Sequence, residues 1–183
     1  SQISSPANFE RVSQAPILGR NYYDPYITGA PYVIFENNCY AMWYISATKW
    51  EKDKDSTIKH FYTIKKAISD DGIDWKCSDE LCIPYGKDEY AIARPVVFKE
   101  KDIYEMWFTF RGGKNSYRIG YAESTDGLNW SRKDQSIKLD VSESGWDSQM
   151  ICYPHPIYYK SNKYLLYNGN EYGKTGIGLA IEG

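Results

Sequence analysis

The chain has 183 residues and a formal net charge of -2, so it is long enough for one domain or for a few units of a repeat. Its nearly balanced charge gives no reason to expect nucleic acid or an anionic membrane as a partner, and no apolar run reaches the roughly 20 residues of a membrane span. Aromatic residues make up 16% of the chain, which favours half-buried β-strands, where such side chains pack well.

Read from its N-terminus, the chain contains the same series of predicted elements three times. Each series has a short apolar run, a polar turn and a second apolar run that begins at Tyr40, Tyr104 or Tyr164. These tyrosines lie 64 and then 60 residues apart. Two apolar runs separated by a polar turn predict a β-hairpin, so we expect a chain of repeated hairpins.

A proline corner precedes the hairpin in each copy. Pro31 and Pro95 lie nine residues before the first two tyrosines, and His155 fills the same column in the third copy, between Pro154 and Pro156. Because proline fixes φ and donates no backbone hydrogen bond, it marks a point where regular strand pairing is interrupted.

A third strand is predicted after each hairpin, and in the first two copies it leads into the motif Ser-x-Asp-Gly-x-x-Trp. The motif spans Ser69 to Trp75 and Ser124 to Trp130. Asp-Gly supplies a turn that tolerates positive φ, and the tryptophan then opens a fourth, outer strand. Since Asp71 and Asp126 repeat together with the turn, we expect them to be structural.

These elements predict an all-β domain of residues 1–183, built from about three β-propeller-like, four-stranded antiparallel blades. The approximate repeats are 24–78, 88–133 and 147–183. The alternative is an all-β sandwich with a chance repeat.

Two segments fall outside the repeats. Phe9 to Val12 could form a further outer strand. The charged insertion from Thr48 to Lys59 is expected to be a solvated loop, in which Trp50 could stack on a sugar.

The corner Arg94–Val97, the strands Tyr40–Tyr44 and Tyr104–Phe108, and the two Ser-x-Asp-Gly-x-x-Trp turns resemble the five-bladed propeller glycosidases of glycoside hydrolase families 43 and 32. The resemblance covers essentially the whole chain, but only as about three blades. It implies a partial propeller, or one that a second copy of the chain completes as a homo-oligomer. It also implies a carbohydrate partner and hydrolysis of a glycosidic bond without a cofactor.

Glycoside hydrolysis needs two carboxyl groups, one that protonates the leaving oxygen and one that acts as a nucleophile or activates water. Asp24, Glu89 and Asp147 lie six to eight residues before the corner of their copies, where loops entering the inner strands would converge. The resemblance implies Asp24 as a base, Glu89 as an acid and Asp147 as an orienting acid. The alternative is that these acids only cap strand entries or form turns.

Cationic and aromatic side chains near the same corners are candidates for binding the substrate. Flat aromatic faces cover the apolar faces of sugars, and an arginine fork at Arg94 could receive a carboxylate of the protein or of an acidic sugar. The predicted substrate-binding residues are Arg94, His155, Tyr23, Tyr90, Tyr153 and Arg111. Arg111 is followed by two glycines and could equally be solvated, and His155 could be a core or rim residue.

The remaining features bound the chemistry. The four cysteines lack zinc-like spacing and are expected to be free thiols. The alternative is a disulfide between Cys77 and Cys82. His60 and His155 are the only histidines, so we expect no metal site. The N-terminus has no signal-peptide progression, which favours a cytoplasmic location.

Three functions are compatible with the sequence: an enzyme, a carbohydrate-binding module without catalysis, and an interaction scaffold.

Overall fold

The computed structural model describes residues 9–52 and 56–183, and the fold is all-β with antiparallel sheets, as predicted. The strands are β1 (Thr28–Glu36), β2 (Cys39–Lys52), β3 (Ile58–Ser69), β4 (Lys76–Leu81), β5 (Glu89–Glu100), β6 (Ile103–Gly112), β7 (Asn115–Ser124), β8 (Ser131–Arg132), β9 (Cys152–Tyr159), β10 (Asn162–Asn168) and β11 (Ile177–Ile181). In the same ranges, helical structure is limited to a 3-10 turn at Asp134–Ser136 and a four-residue turn, α1 (Asn170–Gly173).

The strands form three antiparallel meanders. The larger sheet has the order β1-β2-β3-β5-β6-β7-β8, with β4 paired to β3. Its two halves, β1–β4 and β5–β8, are joined by a single parallel pair between Tyr62 and Ala91. The smaller sheet has the order β11-β10-β9. We call these meanders unit 1, unit 2 and unit 3. Radial repetition of such meanders is the architecture of a propeller.

The Ser-x-Asp-Gly turns have one geometry in both units where they occur. The hydroxyl of Ser69 accepts a hydrogen bond from the amide of Gly72, and that of Ser124 accepts one from Gly127, each at 2.9 Å. Each aspartate accepts bonds from backbone amides two and three residues further along the chain. The expectation that these two aspartates are structural is therefore confirmed.

The hydrophobic core lies mainly between neighbouring units. Trp43 of unit 1 is completely buried, packs edge-on against Trp130 of unit 2 and donates its indole N–H to the carbonyl of Gly127 at 2.8 Å. Between units 2 and 3, Ile119 packs with Leu165 in a second buried cluster. Each fully buried aliphatic side chain contributes about 1.5–3 kcal/mol, so these interfaces hold the units against each other.

Each unit begins with a strand that carries a β-bulge at the same place. In β1, β5 and β9 one extra residue is inserted relative to the partner strand. At each bulge a residue with left-handed backbone stands directly before a proline: Ala30 (φ 45°), Arg94 (φ 55°) and Tyr153 (φ 56°). A bulge bends its strand and changes the direction of the side chain it carries.

The bulges correct the alignment of the third copy. The proline that corresponds to Pro31 and Pro95 is Pro154, and the prediction that put His155 in this column is wrong by one residue. The stretch Pro154-His155-Pro156 offers two prolines, and only the backbone register tells which of them follows the bulge.

Two further expectations are also corrected. Phe9 to Val12 forms no strand and is exposed. The predicted loop from Thr48 to Lys59 is largely a hairpin extension, because β2 continues to Lys52 and β3 begins at Ile58, while residues 53–55 of that prediction lie outside the described residues. On this extension Trp50 is 47% exposed, with its ring centroid 4.2 Å from that of His60.

Candidate functional site

In unit 1 an aspartate seven residues before the bulge proline is completely buried. One oxygen of Asp24 accepts hydrogen bonds from the Tyr44 hydroxyl at 2.9 Å and from the Asn21 side-chain amide at 3.0 Å. The ammonium group of Lys65, also buried, lies 3.4 Å from the other oxygen and donates to the backbone carbonyl of Tyr23 at 2.6 Å. Asp24 therefore belongs to a buried polar network that fastens the entry of β1 to β2 and β3.

Unit 3 repeats half of this arrangement. Asp147 lies seven residues before Pro154 and is 4% exposed. It accepts a hydrogen bond from the hydroxyl of Tyr167 at 3.1 Å, and its second carboxyl oxygen is buried without a hydrogen-bond partner. Gly178, the β11 partner of Tyr167 in the sheet, leaves room for this ring. Asp24 and Asp147 are thus equivalent, each held by a tyrosine 20 residues later.

Unit 2 departs from the pattern. Asp88 is exposed, and Phe108 stands where the other units have the tyrosine, so no hydroxyl is present at this position to hold an acid. The next residue, Glu89, is instead gripped by Arg132, whose two terminal nitrogens donate to the two carboxylate oxygens at 2.6 and 3.0 Å. The backbone amide of Gly86 donates to the same carboxylate at 2.7 Å.

The three predicted catalytic acids therefore sit in separate networks. Within residues 9–52 and 56–183, no hydrogen bond or ion pair joins any two of Asp24, Glu89 and Asp147, and they share no partner. Each carboxylate fastens the lead-in of its own unit.

The three bulges, by contrast, meet at one cavity of about 300 Å³. The bulge residue and proline of all three inner strands line it, together with the residue that follows each proline. These residues are Ala30, Pro31, Tyr32, Arg94, Pro95, Val96, Tyr153, Pro154 and His155. The cavity brings together three of the six predicted substrate-binding residues, namely Arg94, Tyr153 and His155.

Aromatic rings continue from this cavity along one side. The guanidinium carbon of Arg94 lies 4.6 Å from the ring centroid of Tyr153. The Tyr153 ring stacks on that of Tyr172, with centroids 6.1 Å apart and planes 24° apart. Tyr172 in turn meets the edge of Tyr117 at 5.8 Å. The bulge arginine therefore stands at one end of a continuous tyrosine wall.

A second arginine stands at the other end of this wall. The guanidinium carbon of Arg111 lies 5.1 Å from the ring of Tyr90 and 4.8 Å from that of Tyr117. Its Nε is buried without a hydrogen-bond partner. Burial acts to lower the pKa of Arg111, but nearby tyrosine hydroxyls, that of Tyr62 foremost, outweigh burial and the net pKa is raised. Arg111 packs on rings and is not simply solvated.

We call this group the arginine–tyrosine cluster and define it by its seven members: Arg94, Arg111, Tyr62, Tyr90, Tyr117, Tyr153 and Tyr172. The hydroxyls of Tyr62 and Tyr117 share a hydrogen bond. Burial, with this bond second, raises the pKa of Tyr117 well above its ordinary value. The cluster therefore presents two cations and neutral hydroxyl groups.

Sequence reasoning missed Tyr172, which owes its position to an unusual turn. Glu171 and Tyr172 both have left-handed backbone, with φ of 52° and 61°. Two consecutive residues of this kind are strained, at about 1–2 kcal/mol each, and such strain persists only where the surroundings fix it. Here buried Asn170 fixes the turn by accepting from the amides of Gln149 and Met150. The run Asn168-Gly169-Asn170 is the turn signal that could have revealed it.

Tyr23 lies outside the arginine–tyrosine cluster. The residue is 42% exposed, its ring contacts that of Tyr22 edge-on, and its backbone carbonyl accepts a hydrogen bond from the Lys65 ammonium group. In the described part of the chain, no group of three or more His, Cys, Asp or Glu residues is arranged to hold a metal ion. No helix in that part is long and apolar enough to cross a membrane. All four cysteines are free thiols, as expected.

No family model matches the sequence. Two uncharacterized proteins from Mycobacterium tuberculosis, MT1551 of strain CDC 1551 / Oshkosh and Rv1502 of strain ATCC 25618 / H37Rv, are each 40% identical over 176 residues. The match covers 96% of this chain but 57% of each relative, so the chain spans little more than half the length of the curated relatives it matches.

Several solved structures of other proteins have a similar fold. Zg3597, a family 117 glycoside hydrolase from Zobellia galactanivorans, superposes with a TM-score of 0.67 at 20% identity, covering 90% of this chain and 55% of that one. The family 32 β-fructofuranosidase BmSUC1 from Bombyx mori gives 0.58 at 16% identity, covering 82% and 33%. These neighbours are glycoside hydrolases with propeller-like folds, so the chain has a glycoside-hydrolase-like fold.

Proposed function

We propose that this protein binds a carbohydrate at the cavity between its three bulges and acts on it as a glycoside hydrolase. The observation that carries the proposal is the convergence of Arg94, Tyr153 and His155 on one cavity of about 300 Å³. A concave site with aromatic walls and a few polar groups is the usual form of a small-ligand site. Tyrosine faces suit the apolar faces of sugars, while arginine and histidine suit their polar groups.

The proposed chemistry uses two carboxyl groups on one glycosidic bond. Asp24 is the proposed base, Glu89 the proposed acid and Asp147 the orienting acid. Their support is positional, because Asp24 and Asp147 precede the inner strands of their units and Glu89 is the first residue of β5. For Glu89 to donate a proton, its bidentate pair with Arg132 would have to open, since both carboxylate oxygens are occupied.

That occupied carboxylate favours a second candidate function, carbohydrate binding without hydrolysis. All three acids are engaged in contacts that fasten strand entries, and they share no partner within the described ranges. A lectin-like module needs the cavity and the tyrosine wall but no free pair of carboxyl groups.

One pair of assays separates the two functions. Binding of a panel of oligosaccharides is measured by calorimetry, and hydrolysis of the same panel by release of reducing ends. Tyr153→Ala should weaken binding by roughly tenfold, because it removes an aromatic face worth about 1 kcal/mol or more. Asp24→Asn and Glu89→Gln should each abolish hydrolysis in a protein that still folds.

Asp88→Asn is the matched control, because Asp88 occupies the same column but is exposed. Hydrolysis that survives in Asp24→Asn or Glu89→Gln removes that residue from the site. Binding without turnover in the unmodified protein supports the lectin-like function instead. Binding to no member of the panel, or binding that Tyr153→Ala leaves unchanged, refutes the proposed site.

A further inference from the structure

We propose that the carbohydrate is anionic, that Arg94 at the cavity receives its negatively charged group, and that Arg111, at the other end of the tyrosine wall, adds to the positive charge of the site. The inference rests on the proposed function, since it names the substrate class of the same cavity. Its evidence is separate, because it comes from how the arginines of the strands are paired.

Other arginines in the strands have carboxylate partners. Arg118 lies 2.7 Å from an oxygen of Asp140, and Arg132 pairs with Glu89 at 2.6 Å. Within the described residues, Arg94 and Arg111 contact aromatic rings and have no hydrogen-bond or ion-pair partner. Acidic residues are not scarce, because the chain has 24 of them against 22 lysines and arginines.

Arg111 is the costlier of the two to leave unpaired. Its Nε is buried and has no partner, and a buried donor without an acceptor is destabilising. An anionic ligand at the neighbouring cavity would offset the unpaired positive charge. Rings on both sides, Tyr90 and Tyr117, hold the guanidinium group, so the donor is fixed in place before a ligand arrives.

Arg94 is positioned by the backbone. Its left-handed φ of 55° belongs to the bulge, and the side chain it carries lines the cavity. At the equivalent position unit 1 has only the methyl group of Ala30, which leaves space beside the arginine. The proline on its C-terminal side, Pro95, fixes the next φ and further limits the freedom of the bulge.

The tyrosine wall between the two arginines supplies the rest of a carbohydrate site. The stacked rings of Tyr153 and Tyr172 offer a flat face, and the hydroxyls of Tyr62 and Tyr117 offer polar contacts. A guanidinium fork binds carboxylate, sulfate and phosphate oxygens with charge-assisted hydrogen bonds. The shared chemistry is thus a sugar that carries an anionic oxygen group, either a uronic acid or a sulfate or phosphate ester.

The test uses matched ligands and calorimetry on the unmodified chain. Methyl glycosides of glucuronic, galacturonic and mannuronic acid are compared with the neutral methyl glucoside, galactoside and mannoside. The 6-phosphate and 6-sulfate esters of the neutral sugars form a second arm, and inorganic phosphate alone forms a third. At least one charged sugar should bind roughly tenfold or more tightly than its neutral partner, and added salt should weaken that preference.

Variants assign the preference to the two arginines. Arg94→Gln should remove most of it and Arg111→Gln a smaller part, whereas Arg111→Lys should keep it, because lysine retains the charge. Lys101→Gln is the charge-matched control, since Lys101 lies in the β5–β6 turn, at the opposite end of the hairpin from Arg111. It should leave every affinity unchanged.

Each remaining outcome decides something. Equal affinity for charged and neutral sugars, or a preference that survives Arg94→Gln with Arg111→Gln, overturns the inference while the proposed function stands. Tight binding of inorganic phosphate that no sugar improves overturns the carbohydrate part of the inference. Failure of all sugars, charged and neutral, overturns the proposed function as well.

Discussion

The repeated aspartate–tyrosine pair gives a prediction with an internal comparison. Tyr167→Phe deletes the one hydroxyl that bonds Asp147, whose second oxygen already has no hydrogen-bond partner. Tyr44→Phe deletes the equivalent hydroxyl in unit 1, but Asp24 keeps the Asn21 amide at 3.0 Å and the Lys65 ammonium at 3.4 Å. The same chemical change therefore leaves one carboxyl group unsatisfied and the other still partnered.

The expected free energies differ accordingly. A hydrogen bond to a charged group is worth about 1.5–3 kcal/mol, and a buried acceptor left without a partner costs the upper part of that range. Tyr167→Phe should therefore lower the free energy of unfolding by about 2–3 kcal/mol. Tyr44→Phe should cost about 1–1.5 kcal/mol. For a chain of this length, 1 kcal/mol corresponds to roughly 2–4 °C in Tm.

Urea unfolding followed by tryptophan fluorescence measures both changes, provided that the m-value is the same in all variants. Tyr159→Phe is the control, because Tyr159 is exposed and the change should stay within about 0.5 kcal/mol. The reasoning is refuted if Tyr167→Phe costs no more than Tyr159→Phe. It is also refuted if Tyr44→Phe is the more damaging of the two core changes.

Three further outcomes are expected. Gly178→Ala should destabilise the fold by about 2 kcal/mol or more in the same urea assay, because its methyl group would lie 2.3 Å from the Tyr167 ring; a neutral effect would contradict the tight approach. Burial raises the pKa of Cys82 to about 12, so iodoacetamide at pH 8 should label partly exposed Cys39 first, and mass spectrometry showing the reverse order would argue against this core. Burial also raises the pKa of Tyr117 in the folded protein. The stability that the neutral Tyr117 side chain contributes should therefore be complete below the unfolded pKa of about 10 and be lost as the pH rises above that value. Urea midpoints that do not change between pH 9 and 11 would refute this expectation.

The fold was largely readable from the sequence because its signals are local. Short apolar runs separated by polar turns predicted the strands, and Asp-Gly followed by tryptophan predicted the turn into the outer strand. The acid column was also readable, since Asp24 and Asp88 lie seven residues before their prolines. Asp147 shows the same spacing once Pro154 is taken as the reference. Alignment on Tyr164 hid that spacing, because this residue lies one position beyond the sheet register of the anchor tyrosines in the other two copies.

The site was readable only in part because its contacts are not local. Tyr153 and Arg94 were predicted from their corners, but their pairing joins two units. Tyr172 was missed because it follows a strand end in a turn of left-handed residues, where neither strand nor helix period applies. The bond between Glu89 and Arg132 spans 43 residues, so no spacing rule could have assigned that carboxylate a structural partner.

The recurrent bulge separates the backbone frame of the molecule from the side chains that line its cavity. The backbone at Ala30, Arg94 and Tyr153 takes the same left-handed form although the three side chains share neither size nor charge. The backbone conformation at these positions therefore does not depend on which side chain is present, so we expect substitutions there to leave the hairpins intact. A combinatorial library confined to these three codons would sample new ligand preferences on an unaltered scaffold.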